Sequence, residues 1–135
     1  MRASFSSLLA TGLALSGLPA AGQSLPSLPS GLSPELLEEF VEVKPDGMFT
    51  YARFRFVVPE LGQEAAQGFD ALVDDFMTLC QDYAVPRLQG NPETIDRVMI
   101  SYSDKPLEFG VSDAGVVQYF EQFTLQDGVC IWEQF

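Results

Sequence analysis

The clearest pattern in the chain is an alternation of apolar and polar or aromatic positions between Met48 and Val58. One side of this segment is apolar, with Ala52, Phe54, Phe56 and Val58. The other side carries Tyr51, Arg53, Arg55 and Val57. Because side chains of a strand point alternately to its two faces, the segment predicts a strand with one buried face. Pro59 is expected to end it.

A helical period replaces this alternation after Gly68. Over a predicted helix from Phe69 to about Tyr83, apolar residues recur every three or four positions, which aligns them in one stripe. The stripe consists of Phe69, Leu72, Val73, Phe76, Cys80 and Tyr83. Polar residues occupy the opposite side, and we expect them to face solvent. They are Asp70, Asp74, Asp75, Gln81 and Asp82. Pro86 is predicted to close the helical region.

The segment before the turn Lys44–Gly47 is ambiguous between helix and strand. Ser33 followed by Pro34 has the chemistry of a helix start, a hydroxyl cap with proline at the first helical position. The β-rich residues that follow favour a strand from about Leu37 to Val43.

Two hairpins are predicted in the second half of the chain. Short segments at Val98–Tyr102 and Leu107–Val111 alternate in a way that indicates a hairpin with one buried face. Segments at Val117–Leu125 and Val129–Gln134 flank Asp127-Gly128, a preferred two-residue hairpin turn. In that register Leu125 is opposite Cys130 and Phe123 is opposite Trp132, so one face of the second hairpin is apolar.

The only two cysteines, Cys80 and Cys130, are both predicted to point into the core. A bond between them would close a loop of about 50 residues, worth about 4 kcal/mol in the chain-entropy model. A redox-active pair is the alternative, but such pairs usually have Cys-x-x-Cys spacing. The predicted fold is therefore α+β: one main helix packed on an antiparallel sheet of four to six strands, tied to the last strand by the disulfide.

The N-terminus has the order of a secretory signal, with Arg2 before an apolar or small-residue run from Ala3 to Leu18. The run is shorter than the roughly 20 apolar residues of a spanning helix, and no cysteine near the cleavage point could carry a lipid. We expect residues 1–22 to be removed near Gly22, which would place the protein in the periplasm or outside the cell without a membrane anchor. Residues 23–34 then predict a flexible Pro/Ser-rich leader outside the core, and residues 35–135 a single domain.

Charge and missing residue types restrict the function classes. The chain carries 19 acidic and 7 basic residues, a net charge of −12, which argues against nucleic acids and anionic membranes as partners. It has no histidine, which removes the usual imidazole catalysts and metal sites. No glycine-rich phosphate loop is present. We therefore expect no cofactor and no metal.

Two candidate sites remain. Tyr51, Arg53 and Arg55 combine a ring with guanidinium groups on one strand face, residue types favoured at contact sites. They predict a non-catalytic binding or accessory module for an unknown protein or small molecule, unless the arginines only pair with surface carboxylates. The alternative is a small carboxylate-dependent hydrolase that uses the acids around the middle hairpin. These acids are Asp104, Glu108 and Asp113, in a stretch whose composition is also that of a turn.

Several stretches resemble a family of small exported alphaproteobacterial proteins of unknown function. They are Ala52–Phe56, Ile100–Val111, Tyr119–Phe123 and Gly128–Glu133. Some members bear the label acetolactate synthase, an activity that needs thiamine diphosphate, a metal site and a chain several times longer. The resemblance implies export and carries no catalytic motif to transfer.

Overall fold

A computed structural model describes residues 24–63 and 69–133 of the 135-residue chain. The predicted signal peptide, with its cleavage point near Gly22, lies outside the described residues. Within these ranges, every helix is too short or too polar to span a bilayer.

Five strands form one sheet, in which their spatial order is the order along the chain. They are β1 (Glu35–Glu42), β2 (Tyr51–Val57), β3 (Arg97–Ser103), β4 (Gln118–Gln126) and β5 (Val129–Trp132). The strand interpretation of the ambiguous segment before Lys44 is confirmed by β1. Residues of β2 alternate between the core and the opposite face as the pattern predicts, with Ala52, Phe54 and Phe56 each 1% exposed.

The helical segment connects β2 to β3 along the chain. After a 3₁₀ turn at Pro59–Gly62, it runs through α1 (Phe69–Thr78), a π-helical stretch (Leu79–Ala84) and α2 (Val85–Leu88). The prediction that Pro86 closes this region is wrong, because the helical region continues through α2 to Leu88. Pro86 lies in the first turn of α2, where its fixed φ suits a helix and its missing N–H is tolerated.

The sheet is mixed, which corrects the prediction of a fully antiparallel sheet. β2 and β3 are parallel neighbours, with Phe54 opposite Ile100, while the other three neighbouring pairs are antiparallel. The helical segment returns the chain to the end of the sheet where β2 began, so β3 runs in the same direction as β2.

The predicted strand at Leu107–Val111 is also wrong. These residues belong to the loop between β3 and β4, and the antiparallel partner of β3 is β4, with Val98 opposite Phe123. Their alternation does not mark a buried face, because Phe109 is 46% and Val111 is 47% exposed.

The core lies between the helical segment and one face of the sheet. The apolar stripe of the helix is confirmed for Leu72, Phe76, Cys80 and Tyr83, which are at most 5% exposed. From the sheet the core receives Phe54, Phe56, Val98, Ile100, Tyr102, Phe123 and Cys130. The Tyr102 ring makes edge-to-face contacts with Phe76 and Phe56 at centroid distances of 4.7 and 6.2 Å.

Asp75 is buried, although its position in the helix predicts a solvent-facing side chain. It is 0% exposed and accepts hydrogen bonds from Ser30 N at 2.9 Å and from the Tyr102 hydroxyl at 3.0 Å. The Ser30 hydroxyl donates to the same carboxylate. The burial of the charge is therefore matched by hydrogen bonds from two other parts of the chain.

The segment predicted as a leader outside the core lies against it, at least over residues 24–34. Leu25, Leu28 and Leu32 are half-buried and pack on the core, and Ser30 makes the bonds to Asp75 described above. The prediction of a position outside the core is thus wrong for this part. The isolated leucines between prolines and serines are the residues that attach it.

The C-terminal hairpin and the disulfide agree with the sequence. Leu125 is opposite Cys130, Phe123 is opposite Trp132, and the turn residues Asp127 and Gly128 have φ of 51° and 77°. Cys80 in the π-helical stretch is bonded to Cys130 in β5, with the two Cα atoms 6.2 Å apart. The helical segment is therefore joined covalently to the last strand.

The side chain of Gln81 covers part of the outer edge of β5. Its amide donates to the Gly128 carbonyl at 2.9 Å and its carbonyl accepts from Cys130 N at 3.0 Å. A side-chain amide thus takes the place that a further strand would occupy, which is one way in which proteins protect a sheet edge.

Candidate functional site

The sheet face opposite the helical segment carries the predicted binding residues, and we call it the open face. The parallel register places Tyr51 beside Arg97, Arg53 beside Met99, and Arg55 beside Ser101. Since alternate residues of a strand share a face, all six side chains belong to the open face. β4 adds Phe120, which is opposite Ser101 and 59% exposed.

The loop 104–117 returns over one part of the open face. The ring of Phe109 lies 4.9 Å from the guanidinium carbon of Arg53 and 5.8 Å from that of Arg55, measured to the ring centroid. It also makes an edge-to-face contact with Phe40 of β1 at 5.0 Å. Contacts between cations and aromatic faces are attractive, so they hold this loop over the strands.

Arg55 is held from two sides. Only 7% of the residue is exposed, and its guanidinium donates to the Glu38 carboxylate and to the carbonyl oxygen of Leu107. Arg55 therefore joins β1, β2 and the 104–117 loop. A guanidinium fixed by an ion pair and a backbone carbonyl has little freedom to change its orientation.

Arg53 is less fully paired. Its Nε donates to Glu42, whereas its Nη1 is directed at the Met99 sulfur, 3.1 Å away. A thioether sulfur is a weak acceptor. The expectation that both arginines pair with carboxylates is confirmed. The Nη1 group of Arg53, however, faces only the weak sulfur acceptor.

A pocket of about 270 Å³ opens beside these arginines. It is lined by Arg53, Arg55, Met99, Ser101, Glu108, Phe109, Gly110, Val111, Ser112, Gln118 and Phe120. Guanidinium, hydroxyl and amide groups therefore converge on a space whose walls include exposed aromatic rings. This combination of apolar walls and a few polar groups is that of a small-molecule site.

Tyr51 lies beside Arg53 and outside the pocket lining. Its ring is 5.3 Å from the Arg53 guanidinium carbon, and its hydroxyl donates to Asp46 at 3.1 Å. Burial, followed by the bond to Asp46, raises the pKa of Tyr51. Backbone N–H groups of Phe49 and Met48, both 2.8 Å away, lower the pKa of the Asp46 carboxyl. The predicted trio is thus divided, because Tyr51 lies at the start of β2, next to the turn that precedes this strand.

The three acids of the hydrolase alternative occupy different surroundings. Asp104 accepts from Val117 N and Asp113 accepts from Gly115 N, both at 2.8 Å. Of the three, Glu108 alone lines the pocket. Asp104 and Asp113 therefore hold backbone groups within the 104–117 loop. In the described ranges no three histidine, cysteine or acidic side chains are grouped so that they could hold a metal ion.

The sequence patterns did not identify Met99, Phe109 and Phe120 as site residues. The alternation of β3 and β4 did contain a signal for Met99 and Phe120, because each lies on the face opposite a predicted core residue. The pattern around Phe109 predicts a strand, and nothing local indicates that its ring lies over two arginines far away in the chain.

The comparisons identify a family and no activity. A family model described as a family of unknown function (DUF6497) matches residues 11–135, in agreement with the resemblance to a family without an assigned function. No curated protein and no solved structure gives a significant match to the chain.

Proposed function

This chain belongs to the family of unknown function (DUF6497), and from that premise we propose that it is an exported, non-catalytic binding module whose ligand occupies the pocket on the open face. The observation that carries the proposal is the pocket itself. Fixed guanidinium groups converge there with exposed aromatic walls, on a face that the helical segment does not cover.

The fixed arginines favour binding because their geometry exists before a ligand arrives. Arg55 is held by Glu38 and Leu107, and Phe109 contacts both guanidinium groups. A site that is already ordered loses little side-chain entropy on association. Aromatic, methionine and arginine side chains, all present here, are also the types enriched at contact surfaces.

The polar groups of the pocket suit recognition better than proton transfer. Arginine keeps its proton at neutral pH and cannot serve as a base. Glu108 is the one carboxylate in the lining, whereas glycoside hydrolysis generally uses two carboxylates on either side of the bond that is cleaved. These features favour a binding module over the hydrolase alternative.

Export is supported by the N-terminal pattern and by the disulfide. Disulfides form and persist in oxidising compartments such as the periplasm, and Cys80 is bonded to Cys130.

Intact-mass analysis of fractionated cells tests export. The full chain, expressed in a Gram-negative host, should be recovered from the periplasm beginning at Gln23 with the disulfide formed. The variant Leu9→Arg, which places a charge in the apolar run, should remain in the cytoplasm with its first 22 residues attached. Recovery of uncleaved, reduced wild-type chain from the cytoplasm alone would refute export.

Ligand screening with two matched variants tests the binding site. Thermal unfolding is followed while the protein is mixed with fractions of a periplasmic extract. Active fractions should raise the midpoint for the wild type and for Ile131→Ser, which alters an exposed residue outside the pocket lining, but not for Phe120→Ser. Equal responses in all three proteins would contradict the proposed site. Glycoside turnover abolished by Glu108→Gln or Asp104→Asn would instead establish the hydrolase.

A further inference from the structure

We infer that the pocket takes a small organic monoanion, a single carboxylate carried on an apolar ring or short chain, from the juxtaposition of Arg53 and Ser101 with the exposed rings of Phe109 and Phe120. The inference depends on the proposed function, since it specifies the ligand of the same pocket.

Arg53 supplies the site for the carboxylate. One of its donors faces the Met99 sulfur at 3.1 Å, and Met99 and Arg53 both line the pocket. The Arg53 side chain is 20% exposed, so a ligand can reach it. A carboxylate oxygen is a far stronger acceptor than a thioether, and the bond it makes with a guanidinium is charge-assisted. Binding would therefore replace a weak contact with a strong one.

Ser101 provides a second donor beside the first. It lies in β3 directly after Ile100, two residues beyond Met99, and its hydroxyl has no hydrogen-bond partner among the described residues. Arg55, opposite Ser101 in the register, is already committed to Glu38 and Leu107. We assign Arg55 the role of a positioning residue that holds the loop.

The walls and the volume define the rest of the ligand. Phe109, Val111 and Phe120 are 46%, 47% and 59% exposed, an apolar surface that a ligand would cover. The space of about 270 Å³ lies just below the range of about 300–1,000 Å³ usual for ligand pockets. It suits one ring or a short chain better than a nucleotide or a lipid with two chains.

The surrounding charge limits the ligand to one negative charge. Both arginines are already paired, Arg53 with Glu42 and Arg55 with Glu38, and Glu108 contributes a further carboxylate to the lining. The whole chain has a net charge of −12, so a doubly charged anion such as a phosphate ester meets stronger repulsion than a carboxylate.

Isothermal titration and ¹H–¹⁵N spectra with a defined set of probes test the inference. The probes are phenylacetate, 3-phenylpropanoate, hexanoate and octanoate, each with its primary amide, together with acetate and phenyl phosphate. At least one of the four carboxylates should bind, shift the Arg53 side-chain resonance, and bind at least tenfold more tightly than its amide, acetate and phenyl phosphate.

Variants of the paired groups sharpen the test. Arg53→Gln should weaken carboxylate binding at least tenfold, whereas Arg97→Gln, on the same face but outside the lining, should leave it unchanged. Glu42→Gln removes the carboxylate that competes for Arg53 and should strengthen binding severalfold. This last variant gives a gain in affinity, which a misfolded protein could not produce.

The outcomes separate this inference from the proposed function. If amides bind as tightly as carboxylates, or Arg53→Gln has no effect, the monoanion is excluded. If none of the carboxylates binds, the monoanion is likewise excluded, and the proposed site stands if extract fractions still act through Phe120. If no ligand distinguishes Phe120→Ser from the wild type, the proposed site and the inference fail together.

Discussion

At the residue scale, Asp75 shows how a single side chain can depart from a regular pattern. It lies between the exposed Asp74 and the buried Phe76 of α1, on the side that the apolar stripe predicts to face solvent. It is buried instead, because Ser30 and Tyr102 supply three donors to its carboxylate. Neither Ser30 nor Tyr102 is near Asp75 in the chain, so the helical pattern could not predict these hydrogen bonds.

Asp75→Ala is expected to lower the free energy of unfolding by about 2–3 kcal/mol. The substitution leaves the Tyr102 hydroxyl and the Ser30 donors without their buried acceptor, which costs their desolvation. Asp74→Ala is the matched control, because it makes the same change one residue earlier at an exposed position, where about 0.5 kcal/mol or less is expected. Urea unfolding measures both. Equal effects would contradict a stabilising role for the buried carboxylate.

The burial of the Tyr102 hydroxyl predicts a loss of stability at alkaline pH. Burial first, and then the charge and hydrogen bond of Asp75, raise the pKa of Tyr102. Since folding favours the neutral phenol, this contribution is complete below about pH 10, the ordinary tyrosine pKa, and falls as the pH rises above it.

The measurement is urea unfolding of wild type and Tyr102→Phe from pH 8 to 11. The wild type should lose up to about 1.4 kcal/mol per pH unit per such tyrosine above pH 10, and Tyr102→Phe should have a smaller slope. A residual slope is expected from Tyr83 and Tyr51, whose pKa burial also raises. Identical slopes in the two proteins would refute the assignment.

At the element scale, the disulfide joins two elements that other contacts connect only lightly. Cys80 belongs to the π-helical stretch and Cys130 to the last and shortest strand. The bond lowers the conformational entropy of the unfolded chain substantially, because the two cysteines are 50 positions apart. Gln81, the next residue, adds hydrogen bonds to the same strand.

Replacement of both cysteines by alanine is expected to lower the free energy of unfolding by about 4 kcal/mol, following the chain-entropy model. Thermal unfolding with and without a reductant measures the effect. The reductant should destabilise the wild type and leave the double variant unchanged. A wild-type midpoint that does not respond to complete reduction would contradict this expectation.

The 104–117 loop shows why one element was predicted wrongly. Leu107, Phe109 and Val111 alternate as a buried strand would, but the alternation has another cause. Phe109 packs on Phe40 and two arginines of the open face, and Gly110 turns the chain with φ of 85°. Alternation in the sequence therefore does not by itself show that the backbone pairs in a sheet.

At the scale of the whole molecule, the segment 24–34 belongs to the folded unit. Three half-buried leucines and the bonds from Ser30 attach it to the core.

The free energy of unfolding should be lower by at least about 3 kcal/mol for a chain that begins at Ser33 than for one that begins at Ser24. This figure counts about 1 kcal/mol for each of three half-buried leucines, and the loss of the Ser30 hydrogen bonds to Asp75 adds to it. In the shorter chain, Asp75→Ala should also cost less, because the Ser30 donors are already gone. Urea unfolding of the four proteins, all in the oxidised form, measures this coupling. Strictly additive effects would show that the segment and Asp75 act independently.

Features that depend on neighbours in the chain follow from the order of the amino acids. Alternation placed Arg53 and Arg55 on the face opposite Phe54 and Phe56, and the Asp-Gly turn set the register that aims Cys130 at the core. These are local consequences of backbone geometry, which repeats every two residues in a strand and every 3.6 in a helix.

Which of these surfaces contact each other depends on the folding of the whole chain. Four features join positions that are distant in sequence. They are the parallel pairing of β2 with β3, the return of the 104–117 loop over the arginines, the burial of Asp75 and the packing of residues 24–34 on the core. Such contacts are selected by packing of the whole chain, because apolar area is buried without regard to sequence separation. The pocket is a product of that selection, with walls drawn from three strands and a loop.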